Sequence, residues 1–218
     1  MGKRFDLLVF DWDGTLHDSV GAIVSAMRAA CRDLGLPEPS DLQARQVIGL
    51  GLADSLRRVV PDLDQRHYPE MAERYRLHYL ASDGGLSLFD GVREMLESLS
   101  DQGFQLAVAT GKSRRGLDRV FAASGIGDFF AASRCADECF SKPHPQMLHE
   151  LMEEFLTPPE RILMIGDTTH DLQMAINAGV DGLAVTYGAH SEAQLCALQS
   201  LAQLSSVAEL STWLLENA

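Results

Sequence analysis

The sequence predicts an α/β fold, in which helices cover a parallel β-sheet and a helical segment is inserted after the first strand. Short apolar runs recur at residues 5–10, 104–109, 161–165 and 182–187, with the length and composition of buried parallel strands. Helical patterns lie between these runs, and such alternation is typical of a layered α/β domain. The interval between the first two runs is much longer than one crossover helix requires, which indicates the insertion.

The inserted segment carries several helix signals and no convincing strand. Residues 18–34 place their apolar side chains on one helical stripe. Ser40 and Gln43 have the spacing of a capping box, and residues 65–81 continue with a further helical pattern. The glycine-rich stretch at residues 83–85 has the composition of a turn that returns the chain to the sheet.

Helices also follow the later strands. Residues 113–124 form an amphipathic pattern, and a further helical pattern begins near Pro145. Residues 168–178 end at Gly179, a residue that favours a helix C-terminus. Residues 206–209 predict a capping box ahead of a final packing helix.

Composition restricts the classes of function. The chain has 218 residues and is 46% hydrophobic, which is enough to bury a sizeable core. Its 31 acidic and 18 basic residues give a formal charge of −13, which disfavours nucleic acid and anionic membranes as partners. No apolar run approaches the roughly 20 residues that span a bilayer, and the first residues become acidic too early for a secretory signal. We therefore expect a soluble, cytoplasmic protein, monomeric or homodimeric, whose four cysteines are free, buried thiols.

Polar side chains cluster where the predicted strands end. In an open parallel sheet, ligands bind outside the carboxyl ends of the strands. The residues that share this position are Asp11, Asp13, Thr110, Gly111 and Asp167, with Asp171 one helical turn after Asp167 and Lys142 in a loop. Two ionised carboxylates about 5 Å apart repel by roughly 3 kcal/mol at an effective dielectric near 20, and a bound cation removes this cost. Oxygen ligands without cysteine or histidine favour Mg²⁺, which a substrate phosphate commonly completes. The chemistry that these residues suggest is phosphoryl transfer.

Four motifs carry a family resemblance. "DWDGTL" (residues 11–16), "ATG" (109–111), "KP" (142–143) and "GDTTHD" (166–171) resemble the ordered motifs of the haloacid dehalogenase superfamily. The resemblance implies a Rossmann-like, doubly wound α/β core with an inserted helical cap. The core would comprise residues 1–16 and 86–218, and the cap residues 17–85.

The same resemblance implies a role for each motif residue. Asp11 would be the nucleophile that forms an aspartyl-phosphate, and Asp13 would protonate the leaving oxygen and then activate water. Thr110, the backbone amide of Gly111 and Lys142 would hold the phosphate.

The implied metal ligands of Mg²⁺ are Asp11, the backbone carbonyl of Asp13, and Asp167, with Asp171 in support. A carboxylate at Asp13 separates phosphotransferring members from the dehalogenases. The position of the cap resembles that in phosphoglycolate phosphatases and β-phosphoglucomutases, and residues 48–56 resemble the cap loop that faces the catalytic site.

These observations predict a Mg²⁺-dependent phosphatase of small phosphorylated metabolites, with phosphoglycolate as the leading candidate. A β-phosphoglucomutase-like sugar-phosphate mutase is the nearest alternative. A phospho-acceptor signalling switch, similar to a receiver domain, is a second alternative. Two features oppose it: Asp11 ends the first strand rather than a middle one, and a receiver domain has no place for the helical insertion. A catalytically silent binding protein is disfavoured because every expected catalytic side chain is present.

Two features near the motifs have other interpretations. "TGKS" (residues 110–113) imitates the end of a P-loop, but Leu106 stands where the earlier glycine belongs, so we expect no ATP site there. His170 lies between Asp167 and Asp171 but on the other side of the helical turn. This placement favours a structural role for His170 over that of a catalytic base.

Overall fold

The computed structural model describes residues 3–82 and 87–218, and its centre is a six-stranded parallel sheet. The strands lie in the spatial order β3-β2-β1-β4-β5-β6. Their bounds are β1 Leu7–Phe10, β2 Gln105–Thr110, β3 Ala132–Cys135, β4 Ile162–Gly166, β5 Asp181–Val185 and β6 Gln203–Leu204. The predicted α/β fold is confirmed, and four of these strands coincide with the four apolar runs.

Helices cover both faces of the sheet, because successive strand residues point to opposite sides. The helices are α1 Val20–Asp33, α2 Asp41–Arg45, α3 Leu52–Val59, α4 Tyr68–Ser82, α5 Val92–Asp101, α6 Arg114–Ser124, α7 Gln146–Phe155, α8 Thr169–Ala178, α9 Glu192–Leu195 and α10 Val207–Asn217. On β1, Leu8 and Phe10 pack into an apolar cluster with helices α5, α6 and α10. Leu7 and Val9 pack on the other face against α7 and α8.

Of the five helices that the structure describes between β1 and β2, the first four, α1 to α4, have apolar clusters of their own. Met27 and Cys31 of α1 pack with Leu56 of α3 and Met71 of α4. The helices α3, α5 and α9 are not among the sequence predictions, and part of α3 lies in residues 48–56, where the family resemblance implies a cap loop. The predicted turn at residues 83–85 lies outside the described residues.

Helix termini follow the predicted capping patterns with one difference. Ser40 and Gln43 form the expected reciprocal capping box at α2. At α10, Ser206 accepts a hydrogen bond from the Glu209 amide as predicted. The Glu209 carboxylate, however, accepts from the amide of Ser205 at 2.7 Å, so the returning bond is shifted by one residue.

Two further expectations concern the whole chain. Every cysteine is a free thiol, as predicted, but only Cys31 and Cys135 are buried: Cys139 is half-buried, and Cys196 is exposed. Among the described residues, no helix combines the length and the apolar composition needed to cross a bilayer.

Candidate active site

The candidate site lies where three neighbouring strands end. β1 pairs in parallel with β2 on one side and with β4 on the other, in matched register. Asp11 follows β1, Thr110 is the last residue of β2, and Asp167 follows β4. Strand pairing therefore brings these three residues, distant in sequence, to one edge of the sheet.

Three carboxylates meet at this edge. Asp11, Asp167 and Asp171 each present an oxygen within 4.8 Å of the others, and all three side chains are fully buried. Asp167 is held on both oxygens: the Thr15 hydroxyl donates to Oδ1 at 2.8 Å, and the Ala189 amide donates to Oδ2 at 2.7 Å. The sequence-predicted acidic cluster thus forms with a fixed orientation.

Lys142 is the cation inside this cluster. Its fully buried Nζ lies 2.7 Å from Asp11 Oδ1 and 2.6 Å from Asp171 Oδ1. The approach to Asp11 is an ion pair that lies off the hydrogen-bond angle, and Asp11 Oδ2 has no donor among the described residues. With all groups ionised, three carboxylates and one ammonium leave two negative charges uncompensated.

Burial and neighbouring negative charges raise the pKa values of Asp11 and Asp167. Burial raises the pKa of Asp11 well above its ordinary value, and Asp171 and Asp167 add to this while Lys142 opposes it. Burial and the neighbouring Asp171 raise the pKa of Asp167 to about 7, against the hydrogen bonds from Ala189 and Thr15. Near neutral pH the cluster therefore favours binding either a proton or a further cation.

The start of α8 explains the position of Asp171. Thr168 is the N-cap of the helix, and its amide and hydroxyl donate to Asp171 Oδ2 at 3.0 and 2.6 Å. Asp171 is both the third residue of the capping box and a member of the carboxylate cluster, so one oxygen serves the helix and the other faces Lys142.

Asp13 lies apart from the three clustered carboxylates. Its Oδ1 accepts a hydrogen bond from the Ser19 hydroxyl at 2.6 Å and pairs with Lys112 Nζ at 3.0 Å. Gly14, the next residue, has a φ of 83° and packs on Asp167, where a Cβ would lie 2.2 Å from Oδ2. A glycine is therefore required directly after Asp13.

Thr110 and Gly111 face the inserted segment. Thr110 is fully buried, and its Oγ1 accepts a hydrogen bond from the Lys112 amide at 3.2 Å, which leaves the hydroxyl proton free to be donated. A Cβ on Gly111 would lie 2.5 Å from the Leu50 carbonyl oxygen and 2.6 Å from that of Gly49. The loop within residues 48–56 therefore packs directly on the second motif, as the family resemblance implies.

The inserted segment also contacts the loops that carry the other motifs. The Gly51 amide donates to Ser141 Oγ at 2.8 Å, next to Lys142. His170 Nε2 lies 2.9 Å from the Gln46 carbonyl oxygen, so this ring binds the backbone of the inserted segment. That contact agrees with the structural role expected for His170.

The donor set suits a hard divalent cation. Asp11, Asp167 and Asp171 offer carboxylate oxygens only, their excess charge is negative, and one buried oxygen of Asp11 has no donor in the described part of the chain. These features fit Mg²⁺ better than a metal that prefers sulfur or imidazole. The predicted Asp13 ligand is a backbone carbonyl, and its carboxylate is not a member of the cluster.

Sequence reasoning missed Lys112 and Ser19, which both contact the Asp13 carboxylate. Lys112 belongs to the "TGKS" stretch, which spacing alone excludes as a P-loop. Its proximity to Asp13 depends on the pairing of β1 with β2, and a spacing rule carries no information about that pairing.

Comparisons with known proteins agree with this geometry. The family described as "Haloacid dehalogenase-like hydrolase" matches residues 8–185. "Probable phosphatase IndB" of Dickeya dadantii is 37% identical over 88% of this chain and 86% of its own length. A "Phosphoglycolate phosphatase" of Vibrio vulnificus is 34% identical over 94% of this chain and 96% of its own.

A solved structure shares the fold. "The crystal structure of a hydrolase from Pseudomonas syringae" superposes with a TM-score of 0.89 at 20% identity, covering 97% of this chain and 98% of that one. The family match extends over all four motifs and the strands that position them. The chain belongs to the haloacid dehalogenase-like hydrolases.

Proposed function

We propose that the protein is a Mg²⁺-dependent phosphatase of small phosphorylated metabolites that acts through an aspartyl-phosphate at Asp11. One observation carries this proposal. Asp11 is fully buried, one of its carboxylate oxygens has no donor among the described residues, and it lies beside Lys142 and two further carboxylates. A structural aspartate at this depth would have both oxygens satisfied.

The first chemical step forms the covalent intermediate. The Asp11 carboxylate attacks phosphorus, an O–P bond forms, and the bond from phosphorus to the leaving oxygen breaks. Asp13 gives its proton to the leaving oxygen, so an alcohol departs rather than an alkoxide. Lys142, held at 2.7 Å from Asp11, neutralises charge on the transferred group.

The second step restores the enzyme. Asp13 takes a proton from water, the water oxygen bonds to phosphorus, and the bond between phosphorus and Asp11 breaks. Inorganic phosphate is released, and Asp13 again carries a proton. The hydroxyl of Thr110 and the amide of Gly111 donate to the phosphoryl oxygens in both steps.

Asp11, the Asp13 carbonyl and Asp167 would hold Mg²⁺, with Asp171 in support. When bound, the ion neutralises the excess negative charge of the site and of the phosphate.

We further propose that residues 17–85 act as a cap on a core of residues 1–16 and 86–218. The close approach of the Gly49 and Leu50 backbones to Gly111 supports this arrangement, since Gly111 belongs to the motif that would bind phosphate. Such a cap would exclude water while the first step proceeds.

Phosphoglycolate is the substrate that we propose first. The Vibrio vulnificus relative named for the same substrate supports the proposal.

The test is release of inorganic phosphate from a panel containing phosphoglycolate and sugar phosphates, with and without Mg²⁺, beside Asp11→Asn. We expect Mg²⁺-dependent turnover that Asp11→Asn abolishes. Asp18→Asn, which changes an exposed carboxylate nearby, serves as the matched control and should keep full activity. Turnover that survives in Asp11→Asn would refute the proposal.

The same panel separates the alternatives. Isomerisation of a sugar phosphate that depends on added sugar bisphosphate would identify a mutase. A long-lived phosphoryl group on Asp11 without turnover would instead identify a signalling switch.

A further inference from the structure

Lys112 is a buried cation that the proposed chemistry does not use. It follows the phosphate-binding pair Thr110 and Gly111, at the point where the sequence imitates a P-loop. Its side chain is only 9% exposed. Long ammonium side chains are almost never buried to this extent unless they are paired.

Among the described residues, Lys112 contacts one partner in the core and one in the inserted segment. Nζ lies 3.0 Å from Asp13 Oδ1, in the core, and 3.0 Å from the hydroxyl of Tyr79, in α4 of the inserted segment. The ammonium also lies 4.7 Å from the centre of the Tyr79 ring. Tyr79 is itself buried, and the ring of Tyr75 stacks on it one helical turn away.

The environment keeps Lys112 charged. Burial alone would lower the pKa of its ammonium group, but the Asp13 carboxylate and then Tyr79 reverse this effect and hold it above its ordinary value. Lys142 has different partners, Asp11 and Asp171. The two lysines therefore serve different carboxylates, one at the nucleophile and one at the proposed acid and base.

The orientation of Asp13 depends on these contacts. Its Oδ1 contacts both the Ser19 hydroxyl and the Lys112 ammonium, which leaves Oδ2 to carry the proton that the proposed steps transfer. Ser19 directly precedes α1, and Tyr79, which contacts Lys112, lies in α4. The inserted segment therefore supports Asp13 directly through Ser19 and indirectly through Tyr79 and Lys112.

We propose that Lys112 is a positioning residue for Asp13, and that Tyr79 makes this positioning depend on the seating of α4 against the core. The inference rests on the proposed phosphatase function. In this proposal, the contact between the inserted segment and the core sets the geometry of proton transfer by Asp13, in addition to excluding water.

Substrates with different leaving groups reveal such a role. An alkyl phosphate such as phosphoglycolate needs a proton on its leaving oxygen, whereas p-nitrophenolate departs without one. The ratio kcat/KM covers the steps through departure of the leaving group, while kcat also covers hydrolysis of the phosphoenzyme. Poor positioning of Asp13 therefore changes these parameters differently for the two substrates.

The experiment compares Lys112→Met, Tyr79→Phe and wild type on both substrates with Mg²⁺ present. For Lys112→Met we expect kcat/KM for phosphoglycolate to fall by roughly 10- to 100-fold, part of the contribution of a general acid. For p-nitrophenyl phosphate, kcat/KM should change by less than about threefold, while kcat falls and a burst of p-nitrophenolate appears because phosphoenzyme accumulates. Tyr79→Phe should show the same pattern, at roughly fivefold, which corresponds to one hydrogen bond.

Tyr68→Phe is the matched control, since it removes a hydroxyl from the first residue of α4, about three helical turns before Tyr79, and it should behave like wild type. An equal fall of kcat/KM for both substrates would overturn the inference and assign Lys112 to phosphate binding or to folding. If Lys112→Met fails to fold, Tyr79→Phe carries the test, and an unchanged substrate ratio there refutes the link to α4. Failure of the proposed function is distinguishable, because wild type would then release no phosphate from either substrate.

Discussion

The charge of Asp167 should control how the stability of the metal-free protein depends on pH. Burial and Asp171 raise its pKa to about 7 in the folded state, whereas an exposed aspartate in the unfolded chain titrates near 3.9. The group therefore contributes stability that is fully present below the unfolded pKa and is lost as pH rises through the folded pKa. Asp11, whose pKa is also raised, acts in the same direction.

The size of the effect follows from these two pKa values. Between pH 6 and pH 8.5 the unfolded carboxyl is already ionised, and the folded one loses most of its proton. The free energy of unfolding then falls by about 1.4 kcal/mol, because each pH unit that is fully traversed corresponds to about 1.4 kcal/mol. For a chain of this size, that corresponds to a loss of about 3 to 6 °C in Tm.

Thermal unfolding in EDTA at several pH values measures this loss. Wild type should lose Tm across the interval, and Asp167→Asn should lose less, because its amide does not titrate. Asp62→Asn, at an exposed position, controls for the removal of one surface charge. Added Mg²⁺ should raise the Tm of wild type more at pH 8.5 than at pH 6, since the ion competes with a proton. An equal slope in wild type and Asp167→Asn would refute the reasoning.

Two further predictions follow from named contacts. Lys142→Met should abolish phosphate release and, in EDTA, cost about 3 to 5 kcal/mol of stability, because it leaves Asp11 and Asp171 buried without their cation. An unchanged Tm in EDTA would contradict this. Gly111→Ala should lower kcat/KM, because its Cβ would lie 2.5 Å from a backbone oxygen of Leu50, whereas Gly21→Ala, whose Cβ meets no atom within 4 Å, should leave kcat/KM unchanged.

The sequence is most informative where a local pattern has one structural solution. The apolar runs that became β1, β2, β4 and β5 had to be buried on both faces, and the carboxyl ends of such strands meet at one edge. The candidate residues that follow them were therefore found together. Their catalytic and ligand roles, the domain boundaries, the oligomeric state and the cytoplasmic location stay predictions.

Elements without such a pattern were missed. β3 is an edge strand that pairs only with β2, and its middle residues, Ser133 and Arg134, are partly exposed polar groups. β6 has only two residues, too few to show a period. At α3, the glycine-bearing stretch at residues 48–56 was interpreted as a loop, although Gly51 is the N-cap of a helix. In each case the deciding contacts are tertiary.

The strand order has a consequence for how activity is acquired during folding. Leu7 pairs with Gln105 on one side and with Ile162 on the other. Bringing β2 and β4 beside β1 therefore closes two long loops of the chain. Pairings between residues so distant in sequence form slowly. Since the carboxylate cluster exists only when β1 and β4 are joined, recovery of phosphatase activity after dilution from denaturant should lag behind recovery of helical circular dichroism.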